Sequence, residues 1–524
     1  MKLTTLFPLA IIIFFTITAC DKEHTPIAKA IKADSIKRTS AKLIGSVNPK
    51  NNTVSVQIEY GETEDYGQTI KANPDTLTGN DFFDVSATVN DLKPNTYYHF
   101  RIKVEYNGKT TYSADQNFKT ADNLYDFASC FGGSNSDMLR SIYSDDYDFI
   151  AAGLSYSSDG DVLNNKGASD FWIVKIETQG QLQWQKSFGG SDADCANSIW
   201  QTSNGNYVIA GYTLSNDGDV SGNHGGSDVW VIKIDASGNL LWQKCFGGTN
   251  DEVARSIKET TDGGYIVAGY ASSNNGDVSN NHGGRDFWLL KLNSNGELQW
   301  QKTFGGSYDD EANAVAVCPD GGYIIVGSSY SNDGDLEANY GQYDYWIVKT
   351  DANGNMLWQK NMGGSADDQA KDVSLLDDGS AIIIGQSASN DYDITDNHGG
   401  YDYWVIELNN DGQIDWKKSF GGTNDDYGTT VSAENGNTYI SGYSNSSDGD
   451  IQNNHGSYDF CTFKIGVKGQ IIWSRCFGGG SDDFARASDR NIYGDLILAG
   501  TTYSDDGDVL SNHGMCDFWV LKTE

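Results

Sequence analysis

Acidic residues recur in pairs along the chain and are the first candidates for chemistry. Each pair encloses one residue, in triplets such as Asp159-Gly-Asp161 and Asp333-Gly-Asp335, within loops rich in Gly and Asn. Clustered carboxylate and carbonyl oxygens are the ligands that calcium prefers, so calcium is the candidate cofactor. The candidate ligands are the second acids of the triplets: Asp161, Asp219, Asp277, Asp335, Asp393, Asp450 and Asp508.

The same triplets have a second interpretation. None completes an EF-hand loop, because the Gly and the distal Glu are misplaced. Asp and Asn side chains also accept hydrogen bonds from nearby backbone N–H groups and so stabilise turns. We favour turn chemistry, with calcium as the competing hypothesis, and no cofactor follows with certainty.

A second recurrent feature is a histidine within Asn-His-Gly. It occurs at His224, His282, His398, His455 and His513, and two copies carry Lys166 or Tyr340 instead. A catalytic histidine is needed once rather than five times, and a metal ligand would not be replaced by Lys. We therefore predict that each His binds a structural Asp that precedes an aromatic-rich strand. These anchor aspartates are Asp170, Asp228, Asp286, Asp344, Asp402, Asp459 and Asp517.

Other catalytic signatures do not emerge from the sequence. No Gly-x-Ser-x-Gly, His-Glu-x-x-His or phosphate-loop motif occurs. The chain has only eight Arg, which do not recur, so no arginine cluster is expected. Acid pairs for glycoside cleavage are uninformative, since Asp is abundant. The protein is therefore expected not to be an enzyme.

One cysteine pair stands out among the seven cysteines that follow Cys20. Cys461 takes a position where six other copies of a repeated segment carry Trp. If its hairpin has the common turn, Cys461 faces Cys476 on the next strand. A cross-strand disulfide or a thiol pair is predicted there.

An internal repeat must position all these residues. A Phe-Gly-Gly motif, Met-Gly-Gly in one copy, starts at residues 131, 188, 246, 304, 362, 420 and 477. Each unit reads as four short strands joined mostly by turns, and such a sheet buries both faces only against copies of itself. Residues 125–524 begin with a fourth strand and end with a third, so joining them completes a seventh sheet. This predicts a seven-bladed β-propeller of four-stranded blades.

The repeat also resembles known propellers. The hairpin from Lys233 to Trp242 is similar to the blade signature of quinoprotein-like propellers, which supports the fold rather than an activity. The whole repeat resembles those of secreted and lipid-anchored Bacteroidota proteins.

Composition and charge restrict the partners. The chain has 524 residues, with 72 Asp and Glu against 36 Lys and Arg, and a formal net charge of −36. Such a field repels phosphate polymers, so no nucleic-acid partner is expected. The 60 Gly and 12% aromatic residues favour an all-β protein with many turns.

The first residues resemble a targeting signal. Lys2 precedes an apolar run from Leu6 to Ile17, and Thr18-Ala19-Cys20 follows. This resembles a bacterial lipobox, which implies a signal peptide over residues 1–19, lipidation of Cys20 and a tether over residues 20–27. The acids after Cys20 resemble the start of surface-exported lipoproteins of Bacteroidota. A lipid-anchored protein of the cell envelope is predicted, in the outer membrane, with both a surface-exposed and a periplasmic position left open.

Residues 28–120 read as short alternating strands before a linker at 121–124. The segment Leu92-Lys-Pro-Asn-Thr-Tyr-Tyr98 resembles the turn before strand F of fibronectin type III domains. The resemblance implies a sandwich in which Tyr98 makes the tyrosine corner, and a spacer role.

These features predict a non-catalytic envelope lipoprotein whose propeller binds a protein or a glycan. An envelope-assembly scaffold and a polysaccharide-active enzyme are the alternatives.

Overall fold

The structure is a computed structural model that describes residues 24–37, 40–90, 92–93, 95–120, 126–145, 148–434 and 437–523. Every regular element in these ranges is a β-strand. The chain divides into two units, Met1–Leu124 and Tyr125–Glu524. Across the described residues, no helix has the length and apolar character that a membrane crossing requires.

The first unit is a curled sheet of eight strands. They are β1 Ile27–Asp34, β2 Ala41–Asn48, β3 Val54–Gly61, β4 Gln68–Leu77, β5 Phe83–Val89, β6 Tyr97–Tyr106, β7 Lys109–Tyr112 and β8 Gln116–Lys119. The order is β1-β2-β5-β4-β3-β6-β7, and β8 also pairs with β6. Alternate residues of β3 and β6 are buried, which gives this unit its own apolar core.

The second unit is a seven-bladed propeller, as the repeat predicts. Blades 1 to 4 comprise β10 Asp137–Ser144, β11 Phe149–Ser155, β12 Asp170–Ile176, β13 Leu182–Phe188; β14 Asp194–Gln201, β15 Tyr207–Thr213, β16 Asp228–Ile234, β17 Leu240–Phe246; β18 Glu252–Glu259, β19 Tyr265–Ala271, β20 Asp286–Leu292, β21 Leu298–Phe304; and β22 Asp310–Val317, β23 Tyr323–Ser329, β24 Asp344–Thr350, β25 Met356–Met362. Blades 5 to 7 comprise β26 Asp368–Leu375, β27 Ala381–Ser387, β28 Asp402–Leu408, β29 Ile414–Phe420; β30 Asp426–Glu434, β31 Asn437–Ser444, β32 Asp459–Ile465, β33 Ile471–Phe477; and β34 Asp483–Arg490, β35 Leu496–Thr502, β36 Asp517–Thr523, with β9 Phe127–Phe131.

The ring closes through the split blade. Strand β9, from the start of the unit, pairs antiparallel with β36 at its end, in the register Phe131 opposite Phe518. This confirms the closure predicted from the two incomplete copies. Every blade therefore has a neighbouring blade on each side.

Packing between blades explains the apolar middle strands. Strands such as β12 and β16 are buried at every residue, because adjacent blades cover both faces. Aromatic pairs connect successive blades, with ring centroids of Phe171 and Trp230, and of Phe287 and Trp346, 4.5 Å apart. The recurrent Trp of the third strands are thus inter-blade core residues.

The first strand of each blade lies innermost and contacts the first strands of both neighbouring blades. Each of these seven strands contains a β-bulge, which follows the third residue. The bulged residues are Arg140, Asn197, Arg255, Asn313, Lys371, Thr429 and Arg486. A bulge re-aims its side chain out of the regular alternation.

Candidate functional site

The Asp-Gly-Asp loops fold back onto the Phe-Gly-Gly turns. Asp161 accepts a hydrogen bond from the backbone N–H of Gly132 at 3.2 Å, and Asp159 accepts one from Ser134 at 2.7 Å. Corresponding bonds from the turn glycine reach Asp219, Asp277, Asp335 and Asp508 at 3.1–3.3 Å. These acids act as turn acceptors, which is the interpretation we favoured.

Two of the candidate metal ligands have other neighbours. Asp393 accepts a hydrogen bond from Lys417 Nζ at 2.7 Å. The backbone N–H of Asp450 binds the carbonyl of Gly421 at 2.9 Å. Within the described ranges, the three-residue cluster with metal-ligand spacing lies in the first unit, at Glu64, His99 and Asp115. Calcium binding at the triplets stays a prediction.

The recurrent histidines lie against the anchor aspartates. The Nδ1 atoms of His224, His282, His398, His455 and His513 are 2.6–3.1 Å from Oδ2 of Asp228, Asp286, Asp402, Asp459 and Asp517. In the two blades without histidine, the backbone N–H groups of Lys166 and Tyr340 donate to Asp170 and Asp344 at 3.0 and 2.6 Å.

All seven anchor aspartates are fully buried. Burial raises the pKa of Asp286 to about 6, against the opposing hydrogen bonds from His282. Burial raises that of Asp344, which has no histidine, to about 7. These groups lie inside the blade junctions, fully buried.

The Phe-Gly-Gly motif has a steric cause. A Cβ atom on Gly189 would lie 2.5 Å from Oδ1 of Asp170 and 2.6 Å from Oδ2 of Asp194. The same crowding recurs at the corresponding glycine of each copy. The first glycine therefore makes room for two buried carboxylates that meet at every blade junction.

Three further predicted residues have defined partners. Cys461 and Cys476 are joined by a disulfide between β32 and β33, with Cα atoms 4.2 Å apart. In the first unit, the buried Tyr98 hydroxyl accepts a hydrogen bond from the Lys93 N–H at 2.9 Å. Cys20 lies outside the described residues.

The central channel is the site that sequence reasoning missed. The seven bulged residues, together called the channel ring, all line one cavity of about 380 Å³ on the propeller axis. Four of them are cationic: Arg140, Arg255, Lys371 and Arg486. The expectation that the arginines do not recur and form no cluster is wrong. Each of these four follows by three residues the buried acid that opens its inner strand, and this spacing was the available signal.

The neutral members of the ring already have structural partners. Asn197, Asn313 and Thr429 each donate a side-chain hydrogen bond to a carbonyl of the next blade, at 2.8, 2.7 and 3.1 Å. They join adjacent inner strands around the channel.

The charged members are less completely satisfied. The Nε atoms of Arg140 and Arg255 are buried and have no hydrogen-bond partner among the described residues. Lys371 Nζ donates to Gln369 at 2.7 Å. Glu311 lies 3.8 Å from Arg255 and also pairs with the guanidinium of Arg285, and two further acids, Asp372 and Asp489, line the same cavity. Positive charge thus exceeds the negative charge in contact with it.

Like charges influence one another across this ring. Burial lowers the pKa of Lys371 to about 8. The positive charge of Arg255 and that of Arg486 lower it further, whereas Glu311 and Asp367 raise it. Burial likewise lowers the pKa of Arg486. An anion in the channel would relieve this repulsion.

Further along the inner strands the lining changes. Lys258 Nζ lies 4.0 Å from the ring centroid of Trp200. Burial lowers the pKa of Lys258, whereas Asp372 and Asp489 raise it. This part of the channel is of mixed charge, unlike the ring.

An aromatic cluster borders the ring. Tyr401, Tyr427, Tyr443, Tyr458 and Phe484 are half-buried, and neighbouring ring centroids lie 5.0–6.1 Å apart. The guanidinium of Arg486 lies 5.3 Å from the Tyr443 ring and 5.4 Å from the Phe484 ring. Cationic and aromatic surface are therefore continuous.

The fold and this channel define the chain as a seven-bladed β-propeller protein with a preceding curled sheet. No protein-family model matches the sequence. It is similar to the regulatory protein FlaEY of Caulobacter vibrioides, with 28% identity over 202 residues, which are 34% of this chain and 20% of that protein. The chain thus matches about a fifth of that relative's length.

Two solved structures are similar in part. The sensor domain of the anti-sigma factor RsgI4 of Pseudobacteroides cellulosolvens is 29% identical over 19% of this chain and 96% of its own, with a TM-score of 0.16. A variant of the apocarotenoid oxygenase of Synechocystis is 13% identical over 74% of this chain and 94% of its own, with a TM-score of 0.38. These likenesses are too weak to assign an activity or a ligand to this chain.

Proposed function

We propose that this protein is a non-catalytic binding module of the bacterial cell envelope, whose propeller binds a protein or a glycan through its central channel and the surrounding face. The observation that carries the proposal is the variation at the channel ring. Anchor aspartates and turn glycines repeat around the propeller because every blade needs the same packing. The ring residues share one backbone position yet change type from blade to blade, around a cavity. Such asymmetry at a concave polar surface is typical of a ligand site.

The location proposal comes from the sequence. Cys20 carries the lipid, and the first unit acts as a fibronectin III-like spacer between the membrane and the propeller. The Tyr98–Lys93 hydrogen bond supports that assignment, since a tyrosine corner uses its hydroxyl in this way. The net charge of −36 argues for neutral, cationic or small ligands over polyanions.

Crosslinking on intact cells, followed by affinity purification of the tagged full chain and mass spectrometry, tests this function. We expect a defined envelope protein or surface glycan, recovered with the wild type and lost when Cys20→Ser releases the chain from the membrane. Protease shaving of the same cells reports the membrane face. A propeller that captures nothing, or that releases reducing ends from a polysaccharide panel, would contradict a non-catalytic binding role.

A further inference from the structure

We propose that the channel ring binds the carboxylate of an acidic sugar, with Arg140, Arg255, Lys371 and Arg486 surrounding the anionic group and the aromatic cluster contacting the sugar ring. This inference rests on the proposed binding function and names its ligand class. It depends on four observations: the bulges, the incompletely satisfied guanidinium groups, the cavity and the adjoining aromatic surface.

The ring is formed by a β-bulge at the same position of every inner strand. A regular inner strand would alternate side chains between its two faces, but the bulge in each blade adds one residue at the same level of all seven strands. Because the bulge occurs in all seven inner strands, seven side chains line a single cavity. Four of these side chains are cationic in a chain that has twice as many acids as bases.

The cations lack the acids that a structural role would require. Buried charge is normally paired, and buried donors are normally hydrogen-bonded. Here the Nε atoms of Arg140 and Arg255 are buried and have no hydrogen-bond partner among the residues that the structure describes, and Glu311 is shared between Arg255 and Arg285. A bound anion supplies the missing acceptor, and guanidinium groups match a carboxylate with paired N–H donors.

The residues around the ring indicate which class of molecule carries the carboxylate. The cavity of about 380 Å³ suits a small-molecule group rather than a polymer segment. Beside Arg486, the half-buried rings of Tyr443 and Phe484 pack edge to face, with centroids 5.0 Å apart, and provide aromatic surface next to the cation. A hexuronate presents both parts, a carboxylate for the ring and a largely C–H face for the aromatic cluster.

Isothermal titration of the mature full chain with sodium glucuronate, at constant ionic strength and pH 7, tests the proposal. Methyl glucoside is the matched neutral sugar, and acetate and inorganic phosphate are the matched anions. We expect glucuronate to bind, methyl glucoside to fail, and acetate and phosphate to bind at least tenfold more weakly. Equal binding of all three anions would overturn the sugar assignment, and equal binding of the two sugars would overturn the carboxylate.

Ring variants localise the site. Arg486→Gln and Arg140→Gln should each weaken glucuronate binding about ten- to hundredfold, the range for loss of one charge-assisted hydrogen bond. Arg475→Gln removes a charge from the outer strand β33 and should leave binding unchanged. Thr429→Lys adds a fifth cation to the ring and should strengthen binding, which a merely unfolded channel would not do. Unaltered affinity in the ring variants would refute the site.

The two proposals fail differently. If crosslinking recovers a partner equally with wild type and Arg486→Gln, while glucuronate does not bind, the binding-module function stands and the channel site falls. If neither sugars nor cellular partners bind, both proposals fall.

Discussion

The blade that carries Tyr340 in place of histidine allows a measurement of what the His–Asp pairs contribute. Asp344 is fully buried, its Oδ2 accepts the Tyr340 N–H at 2.6 Å, and its Oδ1 has no hydrogen-bond partner in the part of the chain that the structure describes. Burial raises its pKa to about 7, whereas in the preceding blade the hydrogen bonds and the charge of His282 lower the pKa of the buried Asp286 against the effect of burial. One pKa unit corresponds to about 1.4 kcal/mol.

We expect Tyr340→His to stabilise the protein at pH 8 and to have little effect at pH 5. A carboxyl whose pKa is raised in the folded state costs stability that accumulates as the pH rises from the unfolded pKa, about 3.9, to the folded pKa, and is fully present above the folded pKa. Each unit by which the imidazole lowers the folded pKa reduces that cost by about 1.4 kcal/mol above pH 7. At pH 5 the carboxyl is protonated in both proteins, so the difference disappears. For a unit of about 400 residues the gain at pH 8 is about 1.5 °C in Tm.

Thermal unfolding at pH 5 and pH 8 by scanning calorimetry measures this effect. His282→Tyr is the reciprocal control and should lower Tm at pH 8 by a similar amount. The variant Asp344→Asn removes the titrating group, so Tyr340→His should gain nothing in that background. An equal gain at both pH values, or a gain that persists with Asn, would refute the electrostatic reasoning and assign the effect to packing against Tyr392, whose ring centroid is 5.4 Å from that of Tyr340.

Four further outcomes follow from the described contacts. Gly189→Ala should destabilise the propeller by about 1 to 3 kcal/mol through overpacking between two carboxylates, whereas Gly205→Asn, at an open turn with φ +79°, should be tolerated. Alkylation of the unfolded, unreduced chain should leave Cys461 and Cys476 unlabelled, and labelling of both would disprove their disulfide. Because the Asp-Gly-Asp acids already bind backbone N–H groups, calcium should leave Tm unchanged relative to chelator; a rise of several degrees would restore the calcium hypothesis. Since the pKa of Lys371 is about 8, glucuronate affinity should fall about tenfold between pH 7 and pH 9, and a flat profile would remove Lys371 from the ligand's contacts.

The sequence predicted the propeller because the repeat is strong. Seven copies of one motif, with a fourth strand at the start and a third strand at the end, admit a ring with one split blade, and β9 pairs with β36 as expected. The first unit was expected to be a sandwich of two sheets. In the structure β1, β2 and β5 form one set of paired strands and β4, β3, β6 and β7 a second set, and the single pair Asn73–Ser86 joins the two sets into one curled sheet.

The channel ring could not be derived in the same way. The residues that recur in every copy of the repeat are packing residues, such as Asp170 and Gly189. The ring recurs in backbone position but not in residue type, so Arg140 and Lys371 look unrelated in the sequence. The two-residue alternation of a strand also predicts the wrong face for these side chains, because a β-bulge shifts the alternation by one residue. No local sequence motif marks the bulge.

The contrast between the acidic chain and its cationic channel has a consequence for selectivity. Most of the 72 acids lie in the propeller repeats, including the loop triplets, so an approaching anion first meets a repulsive field. A polyanion carries many charges into that field but can place only one group in a cavity of about 380 Å³. A ligand with a single carboxylate on a neutral body meets little repulsion and gains the full attraction of the ring. At physiological ionic strength, repulsion between exposed charges is largely screened beyond about 8 Å, whereas buried contacts are screened much less. Raising the ionic strength therefore weakens the long-range repulsion more than the contacts in the channel. Salt should therefore speed the association of polyuronates far more than that of a monosaccharide uronate, and equal salt dependence for both would place the anion site outside the channel.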